Sequence, residues 1–161
     1  MLFKVMNRFA ASDYSKLTNI PKTIIISITD IDASENEFHE NNQIIDILRL
    51  QFYDCEFGET GHITKEDGKK IIEFVNKHMN NIEQIVVHCE GGVSRSAGVC
   101  AALMKILTND DWEIFNNAKY CPNMTCYRTV LETYYGSYNE TEANEKIKHN
   151  IKIWRTANDM D

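Results

Sequence analysis

No apolar run in this chain approaches the roughly 18–20 residues that a membrane-spanning helix needs. The start, Met1-Leu2-Phe3-Lys4, has no long apolar segment, so no secretory signal is expected. The end, Asn158-Asp159-Met160-Asp161, is not a prenylation box, and Leu2 excludes N-terminal myristoylation. Positive charge is not in surplus either: 17 Lys+Arg against 24 Asp+Glu leave a net charge of −7. That balance argues against a nucleic-acid binder and against attachment to acidic lipid by general electrostatics, while leaving room for a small basic pocket. An even cysteine framework is also missing. The five cysteines, Cys55, Cys89, Cys100, Cys121 and Cys126, are irregularly spaced. With no export signal, they point to a reducing, cytoplasmic setting rather than to disulfides. Cys121 and Cys126 have no second Cys/His pair at finger spacing, so no structural metal is expected. Without secretion, the Asn-x-Thr triplets at Asn123 and Asn139 mean nothing for glycosylation. Repeats, low-complexity tracts and a domain boundary are absent from the sequence, and residues 1–161 are expected to form a single domain with a real core.

What is present alternates between strand-like and helix-like segments. Leu2 to Met6 reads as an edge strand, and Ser12-Asp13-Tyr14 as a cap and short helix. Thr23-Ile24-Ile25-Ile26-Ser27-Ile28-Thr29 is β-branched and almost unbroken in apolarity, as a central strand covered on both faces would be. Asp30 to Asn42 is polar and acidic, a surface loop. Ile47 to Phe52 reads as a further strand, followed by an aperiodic loop from Tyr53 to His62 of a length that often carries function. Thr64-Lys65-Glu66-Asp67 looks like a capping sequence, after which Ile71, Ile72, Val75 and Met79 share a helical face with Phe74 at its edge. Gln84 to Val87 is a buried strand, and Ala97 to Leu107 a buried helix containing Cys100. Asp110 to Ala118 forms a short helix. Asn123 caps another, through Met124, Tyr127, Val130, Leu131 and Tyr134, that stops at Gly136. The tyrosines at 127, 134 and 135 are assigned to the core. A final helix through Glu145–Ile151 is expected to pack with Ile147, Ile151 and Trp154. The expected fold class is α/β, a mainly parallel central sheet flanked by helices.

Between the Gln84–Val87 strand and the Ala97 helix lies His88-Cys89-Glu90-Gly91-Gly92-Val93-Ser94-Arg95-Ser96. A cysteine ends a strand, an arginine begins a helix six residues later, and glycines lie between. If this loop wraps round a tetrahedral anion, six backbone amides, from Glu90 to Arg95, can point inward. Gly91 and Gly92 permit that curvature. The following helix contributes its positive end. Arg95 contributes a planar fork matched to two phosphate oxygens. The same positive field favours the thiolate of a cysteine held within it. Ser96 can donate to the Cys89 sulfur, and His88 can fix the loop by hydrogen bonds rather than by accepting a proton. The glutamate beside the cysteine, Glu90, would repel phosphate if it faced inward, so its side chain is expected to face out and only its amide to serve the loop.

The run Cys-x5-Arg-Ser, with His88, Gly92 and Ser94 in register, resembles the signature of the protein tyrosine phosphatase superfamily, in the dual-specificity branch. Ile26 to Asp30, Leu48 to Asp54, and Pro122-Asn123 with Arg128 are similar to segments of small bacterial and phage members, so the resemblance spans roughly residues 23 to 135. It implies a cysteine-phosphatase fold and hydrolysis of phosphate monoesters in two steps through a cysteinyl phosphate, with no cofactor. It also implies an aspartic acid on a separate loop, roughly 30–40 residues before the cysteine, that protonates the leaving oxygen and then activates water. Asp54 stands 35 residues before Cys89 and is the choice, with Glu56 second; Asp46 and Asp67 fit structural roles better. Asn123 is read as a helix cap, with a supporting bond near the loop as the alternative. Some relatives protect the nucleophile by a disulfide with a second cysteine, a role open to Cys55, although a plain loop cysteine is the preferred reading. The implied partner is a phosphorylated protein, without nucleic acid or membrane; oligomeric state is not readable. A loop without lysines disfavours phosphoinositide phosphatases, and the central position of Cys89 disfavours the low-molecular-weight type. RNA 5′-phosphates, phosphoinositides and a non-catalytic phosphate-binding module are the alternatives.

Overall fold

The computed structural model describes residues 1–159; Met160 and Asp161, the end of the C-terminal tetrapeptide considered above, lie outside them. Four strands form one sheet: β1 (Leu2–Met6), β2 (Thr23–Thr29), β3 (Ile44–Gln51) and β4 (Gln84–His88), in the order β1-β4-β2-β3. All the pairings are parallel, with Val87 opposite both Val5 and Ile26. The helices are α1 (Arg8–Tyr14), α2 (Lys65–His78), α3 (Arg95–Thr108), α4 (Trp112–Phe115), α5 (Met124–Tyr135) and α6 (Glu140–Ala157).

Every residue of β2 is buried, as its β-branched run implied. Successive side chains of a strand point to opposite faces. Ile24, Ile26 and Ile28 therefore join Ile85 and Val87 under α2, α3 and α5, in the main core. Ile25 and Val86 point the other way, against Tyr14 of α1, Ile20 and the partly buried Phe38. Burying each such aliphatic side chain contributes about 1.5–3 kcal/mol relative to leaving it exposed.

Several local expectations shift by a few residues. Asn7, not Ser12, caps α1: its side chain accepts from the Ala10 amide, while Ser12 Oγ donates to the Glu37 carbonyl 2.7 Å away. β3 begins at Ile44, before the expected Ile47, because Ile44 to Asp46 also pair with the start of β2. Thr64 caps α2 in a full capping box with Asp67. Phe74 belongs to that helix's buried face rather than its edge, and so does His78, whose Nε2 lies 2.9 Å from Asp46 Oδ2. Asn123 caps α5 and Gly136 ends it, but Tyr134 and Tyr135 are exposed on its last turn; only Tyr127 enters the core.

The largest correction concerns α6. It starts at Glu140, behind an Asn139 cap, and runs to Ala157. Its buried face carries Ala143, Lys146 and Asn150, while Ile147, Ile151 and Trp154 are only half-buried. Polar side chains hold this helix because each finds a partner. Lys146 Nζ lies 2.7 Å from Asp111 Oδ1 and 2.6 Å from Glu142 Oε1. Asn150 Nδ2 donates to the carbonyls of Phe115 and Tyr120. A buried ammonium is tolerated only with such pairing.

Candidate active site

In a parallel sheet all the carboxyl ends lie on one edge, and there ligands of such folds collect. Here that edge carries the residues following each strand: Asn7 and Arg8 after β1, Asp30 after β2, Asp54 after β3 and Cys89 after β4.

Cys89 is buried, and its Sγ lies 3.0 Å from Ser96 Oγ, within hydrogen-bond reach. His88 is fully buried beside it. The Cys89 carbonyl oxygen, 3.2 Å from His88 Nδ1, can only accept, so Nδ1 carries the proton. Burial pushes the imidazole pKa down to about 4. The ring is therefore neutral near pH 7, and its bare Nε2 accepts from Ser27 Oγ at 2.6 Å. His88 thus ties the cysteine backbone to β2.

Among the described residues, none of the six amides from Glu90 to Arg95 donates to a protein acceptor. Ser94 sits at the N-cap of α3 without a side-chain capping bond. Six free donors at the start of a 14-residue helix make a receptor for an oxyanion. Of the two glycines, Gly92 is the one the turn requires. Its φ is +65°, and a Cβ there would lie 2.5 Å from the Asn7 amide nitrogen. A Cβ at Gly91 would meet nothing. Glu90 turns away from the loop to Arg8, with Nη1 and Oε1 3.0 Å apart.

Arg95 is buried, and its Nη1 donates to Asp30 Oδ1 and to the Phe52 carbonyl, both at 2.7 Å. Its Nε, also buried, has no partner among the described residues. One edge of the guanidinium is thereby anchored, and the Nε edge remains for a ligand. Asp54 is brought to the same loop from β3: its Oδ1 accepts from Ser94 Oγ at 2.7 Å and from Asn123 Nδ2 at 2.8 Å. Both bonds fall on Oδ1; Oδ2 accepts no hydrogen bond among the described residues. Asn123 Oδ1 also accepts from the Cys126 amide and so caps α5. Glu56 makes no such contact; its backbone bonds stay within its own loop, to Glu59.

Cys55 lies in the loop that carries Asp54, where burial and the Glu59 and Asp54 carboxylates push its thiol up. Cys100 is pushed by burial to about 12, as befits a core position. Three contributors were not singled out from sequence: Asp30, Ser27 and Arg8. Asp30 and Ser27 fall inside the strand segment that carries the family resemblance, but only the fold brings them to Arg95 and His88. Among the described residues there is no cluster of metal-ligating side chains and no helix long and apolar enough to cross a membrane.

The site can be set beside known proteins. The family model for the dual specificity phosphatase catalytic domain matches residues 9–135. A single-residue variant of human DUSP28 superposes with a TM-score of 0.52 at 12% identity, covering 99% of this chain and 93% of that one. Human tyrosine phosphatase-like serine/threonine/tyrosine-interacting protein gives a TM-score of 0.44 at 18% identity, covering 82% and 78%. Tk-PTP in its active form gives 0.46 at 15% identity, covering 92% and 88%. No curated protein matches the chain. The DUSP28 superposition agrees with the all-parallel sheet and its helices, and the family model spans the carboxyl ends of β2, β3 and β4. The chain belongs to the dual-specificity phosphatase catalytic-domain family.

Proposed function

We propose that residues 1–161 form a single catalytic domain that removes phosphate from phosphorylated proteins in the cytoplasm through a cysteinyl-phosphate intermediate. Cys89 attacks phosphorus as the thiolate, and the bond from phosphorus to the ester oxygen breaks. The amides of Glu90, Gly91, Gly92, Val93 and Ser94 and the Arg95 guanidinium hold the phosphoryl oxygens as charge moves. Asp54 gives its proton to the departing oxygen, then takes one from the water that attacks the phosphocysteine. Ser96 donates to the sulfur as it leaves, while His88 and Asn123 hold the loop and the acid.

The observation that carries this reading is the hydrogen bond between Ser94 and Asp54, 40 residues apart, which joins an acid to the lip of the anion receptor. A receptor without that acid would suit a non-catalytic binding module. Hydrolysis of an aryl phosphate by the wild type, abolished by Cys89→Ser with retained phosphate binding, is the expected result. Hydrolysis unaffected by Cys89→Ser would sink the mechanism.

A further inference from the structure

The junction of β1 and α1 is pressed against the outside of the anion receptor. The Arg8 amide donates to the Glu90 carbonyl at 3.2 Å. A trans peptide points its C=O and N–H in opposite directions, so this bond turns the Gly91 N–H away from α1. The Arg8 guanidinium reaches the Glu90 carboxylate, with Nη1 and Oε1 3.0 Å apart. Its other two nitrogens are held by the loop after β2. Nε donates to Asn36 Oδ1 at 3.1 Å, and Nη2 to the Ser34 carbonyl at 2.8 Å and the Glu35 carbonyl at 3.2 Å. Asn36 is itself buried, and its Nδ2 donates back to the Arg8 carbonyl. The cation is therefore fixed with or without the glutamate. The partly exposed Glu90 carboxylate, by contrast, has Arg8 as its one side-chain partner among the described residues.

Glu90 directly follows Cys89, in a loop whose ligand is an anion. A carboxylate free to swing there would oppose a phosphoryl dianion and the Cys89 thiolate alike. The His88 ring, one residue before Cys89, feels both charges of the pair. After burial, the largest cause, and the Cys89 carbonyl, Arg8 pushes its pKa down and Glu90 pushes it up. The two charges thus cancel in part at the base of the loop. We propose that Arg8 is a positioning residue for the phosphate receptor, pinning the Glu90 carboxylate outside the loop and cancelling its charge. The proposal rests on the phosphatase reading of that loop and names what lets a glutamate stand beside its nucleophile. A purely architectural role, tying α1 to the loop after β2, is served by the same guanidinium through Ser34, Glu35 and Asn36, and it does not need Glu90. Only the positioning role passes through the glutamate's charge, and that separates the two.

The test compares wild type, Arg8→Met, Glu90→Gln and the double variant. The Kd of inorganic phosphate is read by calorimetry, and KM and kcat are read with para-nitrophenyl phosphate. Arg8→Met frees the carboxylate and should raise Kd and KM roughly tenfold, with kcat changed by about threefold or less, because the repulsion acts on bound substrate and transition state alike. Adding Glu90→Gln to Arg8→Met should recover all but about twofold of that loss. Glu90→Gln alone leaves a fixed, uncompensated cation beside the receptor and should tighten phosphate by roughly two- to fivefold. That single variant keeps the Arg8 anchors and tests the proposal even where Arg8→Met does not fold. Phosphate binding unchanged in Arg8→Met, a loss undiminished in the double variant, or phosphate held no tighter by Glu90→Gln than by wild type each overturns the proposal. Failure of the wild type to hydrolyse the aryl phosphate, whatever the binding pattern, would instead overturn the phosphatase reading beneath it.

Discussion

The two sides of this site are built differently. The inner side, His88 to Ser96, is one continuous stretch between a strand and a helix, in which loop, cysteine and arginine come from nine consecutive residues. The outer side is assembled from Asp54 and its loop, the start of α5 and the middle of α6, segments separated by tens of residues and joined by single side-chain bonds such as Ser94–Asp54 and Asn123–Asp54. A contiguous receptor is specified by local sequence, and its chemistry is shared by a family. An assembled wall depends on packing and can differ from chain to chain without disturbing the receptor. On this account, damage to the inner side should affect every substrate alike, and damage to the outer side should sort substrates.

Replacing the acid tests that contrast most strongly. Asp54→Ala should lower kcat about 10²–10⁴-fold on alkyl phosphates and far less on aryl phosphates with good leaving groups, read by steady-state kinetics across a leaving-group series. An equal loss across the series would move Asp54 out of the acid role. Next in size is Asp30→Ala, which removes the carboxylate from the buried Arg95 guanidinium. Loss of one charge-assisted hydrogen bond, about 1.5–3 kcal/mol, predicts a loss of roughly 10–100-fold in kcat/KM on every substrate, peptide or aryl. A substrate-dependent loss would break the comparison.

The paired glycines separate a required residue from a permitted one. Gly92→Ala must place a Cβ against the Asn7 backbone at a positive φ. It should cost about 1–3 kcal/mol in denaturant unfolding and impair turnover. Gly91→Ala should stay within about 0.5 kcal/mol of wild type. His88 gives a signature in pH. Its folded pKa of about 4 lies below the ordinary 6.5, so the unfolded chain binds the proton first. The stability it contributes is present above 6.5 and is lost as pH falls toward 4, up to about 3 kcal/mol for this fully buried ring. Chemical denaturation at pH 7 and pH 4.5 should show a smaller drop for His88→Gln than for wild type.

Legibility in the sequence follows the same division. The parallel sheet was readable because β2 is β-branched and almost unbroken in apolarity, and the loop because Cys89, Gly92 and Arg95 fall in register. Asp54 could be singled out only through family resemblance, since nothing local sets one loop carboxylate apart from another. Asp30 could not be found from local pattern: it is an ordinary polar residue after a strand until the fold sets it against Arg95. The α6 face was misread because an apolar i, i+4, i+7 set usually packs inward. Here Lys146 and Asn150 have buried partners, Asp111 and the Phe115 and Tyr120 carbonyls, that only the packing of α4 and the segment before α5 supplies.

The central claim is that phosphate passes through the sulfur of Cys89. The most direct measurement mixes the Asp54→Ala variant with an aryl phosphate, quenches rapidly in acid, and maps phosphate on its peptides by mass spectrometry. The variant still receives the phosphoryl group from a good leaving group but lacks the base that activates water, so phosphate should accumulate on the peptide containing Cys89. Turnover with no phosphate on that peptide at any quench time, or with phosphate on another residue, would contradict the account.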